Sequence, residues 1–272
     1  NNSLRLQQLI TLYSILNPAK YNADTFYNAW KNLLLFHEHT WGAYNSISDP
    51  DLPFVTKQWG IKKQFMLNAD KQINRIEKDL FDPITDIQSK KIVVVNSSSW
   101  RRSGPVVVET SVNAQSVKDQ NGNMFPLQKL SDGKFIFMAE NIPPLGTSVF
   151  TMTGERLTSI QNNFVLTDSS VSNGKIFVQW DKTGSIVKLI DDTGFNYAGS
   201  FNNQGLNSYW YVPGLDPAKA LTNGTVQIQI VERGPVLITI AMISDAPGSN
   251  SLERRISLYA GSDEVFLENI ID

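Results

Sequence analysis

Apolar side chains in residues 4–17 return every three or four positions, so that Leu6, Leu9, Ile10, Tyr13 and Leu16 share one face, with Pro18 as a stop. A second helix is predicted behind a cap at Asn22 or Asp24, with Phe26, Trp30, Leu33 and His37 on one stripe. Pro53 opens a third. In it Phe54, Ile61, Phe65, Ala69, Ile73, Ile76 and Leu80 hold the helical period for about seven turns. Lys57, Lys62, Lys63, Lys71, Arg75 and Lys78 decorate its other side and read as solvated surface. Short connections between three helices predict an antiparallel three-helix bundle over residues 1–88.

The pattern then changes period. Phe81-Asp82-Pro83 ends the third helix, and the β-branched run at 91–96 is of strand type. Further strands are predicted at 106–109, 135–138 and 148–152, with turns at Asn121-Gly122 and Asp132-Gly133. From residue 164 onward strand-like runs fall at 164–166, 175–180, 186–190, 226–231, 236–243, 251–259 and 264–271. Turn signals such as Lys182-Thr183-Gly184 and Asp192-Thr193-Gly194 recur about every 10 residues, as they do in sandwiches. The reading is a multidomain α+β chain: a helical bundle at 1–88, a small β-sandwich domain at 90–155 and a larger β-sandwich domain at 160–272. The larger one is expected to be truncated, because the sequence closes on Glu268-Asn269-Ile270-Ile271-Asp272 inside a strand pattern. An opening at Asn1-Asn2-Ser3, with neither Met nor a signal-like apolar stretch, agrees with a piece of a longer protein.

Composition narrows the chemistry. Over 272 residues 24 Lys and Arg stand against 26 Asp and Glu, so no basic field exists to attract a phosphate backbone and nucleic acid is not an expected partner. No apolar run approaches the length of a membrane span, so no membrane partner is expected either. The absence of cysteine removes disulfides, thiol catalysis and thiolate metal sites, and leaves the compartment open, a secreted or periplasmic address included. Tripeptides of glycosylation-acceptor form begin at Asn1, Asn96 and Asn223. Asp191, Asp192, Asp263 and Glu264 sit at turn positions and read as turn formers.

Both histidines of the chain lie in one stretch, Leu33-Leu34-Leu35-Phe36-His37-Glu38-His39-Thr40-Trp41-Gly42-Ala43-Tyr44, where an apolar helix runs into a glycine-containing turn. One reading makes His37 a hydrogen-bonded core residue at the helix end and His39 a surface residue near its cap. The other makes one of them a metal ligand supported by Glu38. Residues two apart on a helix point away from each other, so His37 and His39 cannot grip one ion while the helix persists. Trp41 and Tyr44 offer aromatic faces of the kind that stack on sugar rings, or seal a domain junction. Tyr209-Trp210-Tyr211 reads as a strand with Tyr209 and Tyr211 on one face and Trp210 on the other.

These residues resemble the α-mannosidases of glycoside hydrolase family 38, in the region that follows their catalytic domain. His37-Glu38-His39-Thr40-Trp41-Gly42-Ala43 is similar to a family motif, His-Asp-x-Ile-x-Gly-(Thr/Cys), whose first His is a zinc ligand. Glu38 replaces Asp, Thr40 replaces Ile, and the extra His39 is an alternative ligand. Val95-Asn96-Ser97-Ser98-Ser99-Trp100-Arg101-Arg102 resembles the strand that starts the family's first β domain, and Ile142-Pro143-Pro144-Leu145-Gly146 a turn near its end. Asn163-Phe164 with Gly184–Asp192 resembles the opening of the large sandwich, and Tyr209-Trp210-Tyr211-Val212-Pro213 a segment whose Tyr reaches the sugar.

The resemblance implies a galactose-mutarotase-like supersandwich for the larger β region and membership of a retaining, zinc-dependent α-mannosidase. Zinc would be shared with an N-terminal catalytic domain of the same polypeptide and not held by this piece alone. His37 (alternatively His39) would be a metal ligand, Trp41, Tyr44 and Tyr209 would contact a glycan substrate, and no catalytic carboxylate would come from these residues. A carbohydrate-binding or structural β module with a helical linker, or a family member without catalysis, remains the competing reading.

Overall fold

The computed structural model describes residues 2–38, 45–84, 86–157, 164–199 and 204–272. Three α-helices come first: α1 (Asn2–Leu16), α2 (Ala23–His37) and α3 (Pro53–Phe81). Asn22 caps α2, its side-chain oxygen accepting from the Thr25 amide at 3.1 Å. Pro53 occupies the first turn of α3, where a missing N–H costs nothing. The helices share one apolar core, with Leu6, Leu9 and Tyr13 from α1, Phe26, Ala29 and Leu33 from α2, and Ala69, Ile73, Ile76 and Leu80 from α3. Tyr13 keeps its hydroxyl satisfied there by donating to the Ile76 carbonyl at 3.1 Å.

The predicted stripe on α3 is wrong in its N-terminal half. Phe54 and Ile61 are 59% and 53% exposed, whereas Val55 is fully buried. Stepping back from Leu80 in alternating fours and threes passes through Ile76, Ile73, Ala69, Met66 and Lys62 and then reaches Val55 one helical repeat further on. The inner line therefore runs one residue after Phe54, Ile61 and Phe65. Lys62, expected in solvent, is on the inner line, with a side chain only 13% exposed.

The rest of the chain forms antiparallel sheets. The first β region contains β1 (Lys91–Asn96), β2 (Arg102–Val108), β3 (Ser116–Lys118), β4 (Met124–Pro126), β5 (Gln128–Lys129), β6 (Phe135–Ile142) and β7 (Gly146–Thr153). They make a four-stranded sheet, β1-β7-β3-β4, and a three-stranded sheet, β2-β6-β5. Val117, Phe137, Ala139, Phe150 and Met152 are among the residues of the core these sheets share. The second region contains β8 (Val165–Leu166), β9 (Ser170–Ser172), β10 (Phe177–Trp180), β11 (Ile186–Ile190), β12 (Gln227–Arg233), β13 (Leu237–Ser244), β14 (Leu252–Tyr259) and β15 (Val265–Ile271). Sheets β11-β10-β9-β8 and β12-β13-β14-β15 contribute to one core through Val178, Trp180 and Ile186 on one side and Ile238, Ile240, Met242 and Ile256 on the other.

Packing gathers the chain into two compact units. One is Asn1–Asp86 with Asn96–Trp100 and Pro144–Gly146; the other is Ile87–Val95, Arg101–Pro143 and Thr147–Asp272, and holds both β regions. Within the second unit the buried Gln128 joins the regions. Its side-chain oxygen accepts from the Val236 and Leu237 amides at 3.0 and 2.8 Å, and its side-chain nitrogen donates to the Leu237 carbonyl at 3.1 Å. Ile136, Val236 and Leu237 form a small apolar cluster beside it. A single amide side chain thereby mimics the hydrogen bonding of a neighbouring strand.

Candidate functional site

The C-terminal end of α2 is where the sequence concentrates metal-binding chemistry. His37 is the last helical residue and is exposed, while Phe26 and Leu33 on the same stripe are buried and Trp30 half-buried. The stripe therefore outruns the core, and the imidazole stands beyond it. Its ring meets the edge of Phe36 with centroids 5.2 Å apart and planes at 79°. Glu38 caps the helix with extended backbone (ψ 136°).

A carboxylate at the negative end of a helix dipole is unfavourable on its own. Lys62 supplies the compensation from α3: its ammonium donates to Glu38 Oε2 at 2.5 Å and to the Leu35 carbonyl at 3.2 Å. One cation thus holds both the cap residue and an orphan carbonyl of the last turn, fixing the backbone on either side of His37. Next to it Phe36, Trp59, Gly60, Lys63, Met66 and Leu67 line an open apolar groove of about 520 Å³. The sequence signal for Lys62 was the spacing along α3, which the apolar letters obscured.

No three His, Cys, Asp or Glu side chains gather into a metal-holding group among the described residues. His37 offers one imidazole, so a zinc ion would need its other ligands from elsewhere, and the described residues alone do not make the site. His39, Trp41 and Tyr44 lie outside the described residues.

The second candidate surface is the segment 205–213. The predicted strand at Tyr209-Trp210-Tyr211 is absent: only isolated bridges join Tyr211 to Leu221 and Leu206 to Ile186. Without a ladder the strict alternation fails, and Trp210 (46%) and Tyr211 (37%) are both exposed. Tyr209 is half-buried and donates its hydroxyl to the Pro247 carbonyl at 2.6 Å. The Tyr211 ring lies directly against Gly248, whose φ of 80° and close approach both require glycine. Trp210 and Tyr211 are thus the exposed rings of this loop, Tyr211 with Gly248 packed against it, whereas the Tyr209 hydroxyl is engaged.

Other polar residues prove structural. Asp191 accepts from the Thr193 amide and hydroxyl at 3.0 and 2.6 Å and from the Tyr197 hydroxyl at 2.8 Å. These hydroxyl contacts hold its carboxyl below the usual value and push the Tyr197 phenol up. Two asparagines of acceptor-like tripeptides are buried and engaged. Asn96 donates to the Trp100 carbonyl at 2.7 Å, and Asn223 to the Thr183 carbonyl and the Ser244 hydroxyl at 3.0 and 3.1 Å. Their amide nitrogens serve the fold and are not placed for glycosylation.

No family model matches the chain. Over 231 residues it is 24% identical to a lysosomal alpha-mannosidase of Dictyostelium discoideum, across 70% of this chain and 22% of that protein. Among solved structures it is similar to a protein in the glycosyl hydrolase family 38 from Enterococcus faecalis, with TM-score 0.62 and 13% identity over 99% of this chain and 42% of that one. It is also similar to an alpha-mannosidase from Enterococcus faecalis V583, with TM-score 0.59 and 15% identity over 97% of this chain and 39% of that one. At these identities the structural likeness shows a shared fold, of α+β class with three helices and several antiparallel sheets. The chain spans about a fifth of the curated relative and about two-fifths of the solved structures. The motif resemblance and these matches fall on the same group of proteins, the family 38 α-mannosidases.

Proposed function

We propose that the chain is part of a retaining, zinc-dependent α-mannosidase-like glycoside hydrolase that cleaves terminal α-mannosidic bonds, and that it contributes one edge of the active site. The observation that carries this reading is the exposed His37 imidazole at an end of α2 clamped by Lys62 and Glu38. The similarity to α-mannosidases over most of the chain supports it. His37, with His39 as alternative, serves as one metal ligand, and Trp41, Tyr44 and Tyr209 contact the glycan. The Tyr209 hydroxyl is committed to Pro247 in the structure, so its contribution is by its ring or by a change of partner. The chain is organised as a bundle at 1–88, a small β-sandwich at 90–155 and a larger galactose-mutarotase-like supersandwich from 160.

A zinc ion held in part by His37 (alternatively His39) would supply a Lewis-acid contact for sugar hydroxyls. This chain's own part is to hold an imidazole in place and to present aromatic surface. The two carboxylates of a retaining mechanism, about 5–5.5 Å apart, come from a separate catalytic domain of the same polypeptide, and the chain alone is expected to be inactive.

The test is zinc content and hydrolysis of aryl α-mannosides by the intact protein. His37→Ala is expected to lower zinc affinity at least about tenfold and activity in parallel, with His39→Ala separating the alternative ligand. An intact protein that holds no zinc and cleaves no α-mannoside sinks the reading. A carbohydrate-binding or structural β module with a helical linker would then stand.

A further inference from the structure

The segment 205–213 has the weak ladder of a loose surface loop, with two isolated bridges and a left-handed residue, Asn207, at φ 60°. Arg254 and Asn269 nevertheless grip it at Asn207, and its own Ser208 and Tyr209 side chains tie down the residues that follow. Arg254 Nη1 donates to the Asn207 carbonyl at 2.9 Å. Asn207 and Asn269 exchange side-chain amide hydrogen bonds at 3.1 and 3.0 Å. Ser208 donates its hydroxyl to the Gly205 carbonyl at 2.6 Å and lies 3.0 Å from the Ser185 hydroxyl, and Tyr209 donates to the Pro247 carbonyl.

Arg254 and Asn269 are register partners on β14 and β15, so two neighbouring strands hold Asn207 at once, one by its carbonyl and one by its side chain. Arg254 is the unexpected member. β14 alternates, with Leu252, Arg254, Ile256 and Leu258 all inward, and the arginine is 1% exposed at a position where its neighbours are apolar. Its second terminal nitrogen donates to the Thr183 carbonyl. The next residue, Gly184, has φ 79°, and a Cβ there would stand 2.6 Å from that nitrogen. The turn is built to let the guanidinium in. A planar cation with donors on both terminal nitrogens can bridge carbonyls of two separate loops. Burying it costs free energy that a core leucine would not require.

We propose that Arg254 is a positioning residue, fixing the 205–213 loop so that the exposed Trp210 and Tyr211 rings are held as a rigid stacking surface for the glycan. The glycan rests on the function proposed above; the pinning of the loop does not. Rigid aromatic faces bind a sugar without an ordering cost at the moment of contact. Loss of the pin therefore weakens binding and leaves the bond-breaking step untouched.

The test uses the intact protein carrying Arg254→Met or Arg254→Lys, read by hydrogen exchange at the Leu206 and Tyr211 amides, which bond to the Ile186 and Leu221 carbonyls. Arg254→Met is expected to speed exchange there at least about tenfold, with partial recovery in Arg254→Lys. On an aryl α-mannoside, KM is expected to rise about tenfold with kcat within about twofold. Unchanged exchange, or a fall in kcat at constant KM, overturns the proposal. If the wild-type protein cleaves no α-mannoside, the function reading fails separately, and exchange alone decides whether the loop is pinned. Should Arg254→Met not fold, Asn269→Ala removes the neighbouring grip, and the same rise in exchange is expected from it.

Discussion

The helical unit and the β unit each send a basic side chain to backbone carbonyls that regular structure leaves unpaired, under opposite conditions. Lys62 bonds the Leu35 carbonyl from the rim, with the Glu38 carboxylate beside it and that partner's side chain 39% exposed. Arg254 bonds the Asn207 and Thr183 carbonyls from the interior, makes no ion pair among the described residues, and leaves its Nε without a partner. Lysine suits the first setting because its ammonium stays partly hydrated while serving two acceptors. Arginine suits the second, since it remains charged when desolvated and spreads that charge over a fork matching two acceptors. Rim contacts of this kind are cheap to make and cheap to lose. The interior contact is costly both ways, so it marks a position where geometry is at a premium over stability.

Substitution tests the contrast directly. Arg254→Met, which takes its donor from the Asn207 carbonyl and leaves the Thr183 carbonyl with Asn223 alone, is expected to destabilise the protein by about 3 kcal/mol, measured by urea unfolding. Lys62→Met is expected to cost about 0.5–1 kcal/mol. Raising the salt concentration should shrink the Lys62 effect and leave the Arg254 effect in place. Equal losses at the two sites would break the contrast.

The smallest effect is expected from acid. The Asp191 carboxyl lies below its unfolded value of 3.8, first because of the Thr193 hydroxyl and next because of Tyr197. Its contribution is therefore fully present above that value and fades as the pH falls through the lower folded one. Asp191→Asn should flatten that acid limb of a thermal-stability profile and leave the neutral region unchanged.

Helices and long strands could be read directly because each buries one face, and burial writes a period of 3.6 or 2 into the letters. The inner line of α3 was misplaced because Lys62 occupies it. A long aliphatic stem can line a core edge while its charge is satisfied beyond it, and a hydrophobicity count misses that. Arg254 was legible in principle. The alternation Leu252, Arg254, Ile256, Leu258 points it inward, but only the partner loops explain why an arginine is there. Tyr209-Trp210-Tyr211 reads as a strand because its aromatic letters fit a pleat, while the loop that contains it is held by groups distant in sequence, Arg254 at the Asn207 carbonyl and Leu221 at Tyr211. For His37 the sequence places the residue at the end of α2 and no more. That the imidazole stands clear of the core follows from where α2 stops, and its Lys62 clamp is contributed by a different helix.

The Gln128 amide has a consequence for how the β unit comes apart. Three main-chain groups of Val236 and Leu237 find their partners on a side chain from the other β region. A protease cut in the connection between the regions would sever the chain without separating the halves. Pulling them apart would bare the Val236 and Leu237 amides together with the apolar cluster of Ile136, Val236 and Leu237, while the Leu237 carbonyl keeps the Gly234 amide. The two β regions are thus yoked at the scale of a single residue and are expected to melt as one cooperative body.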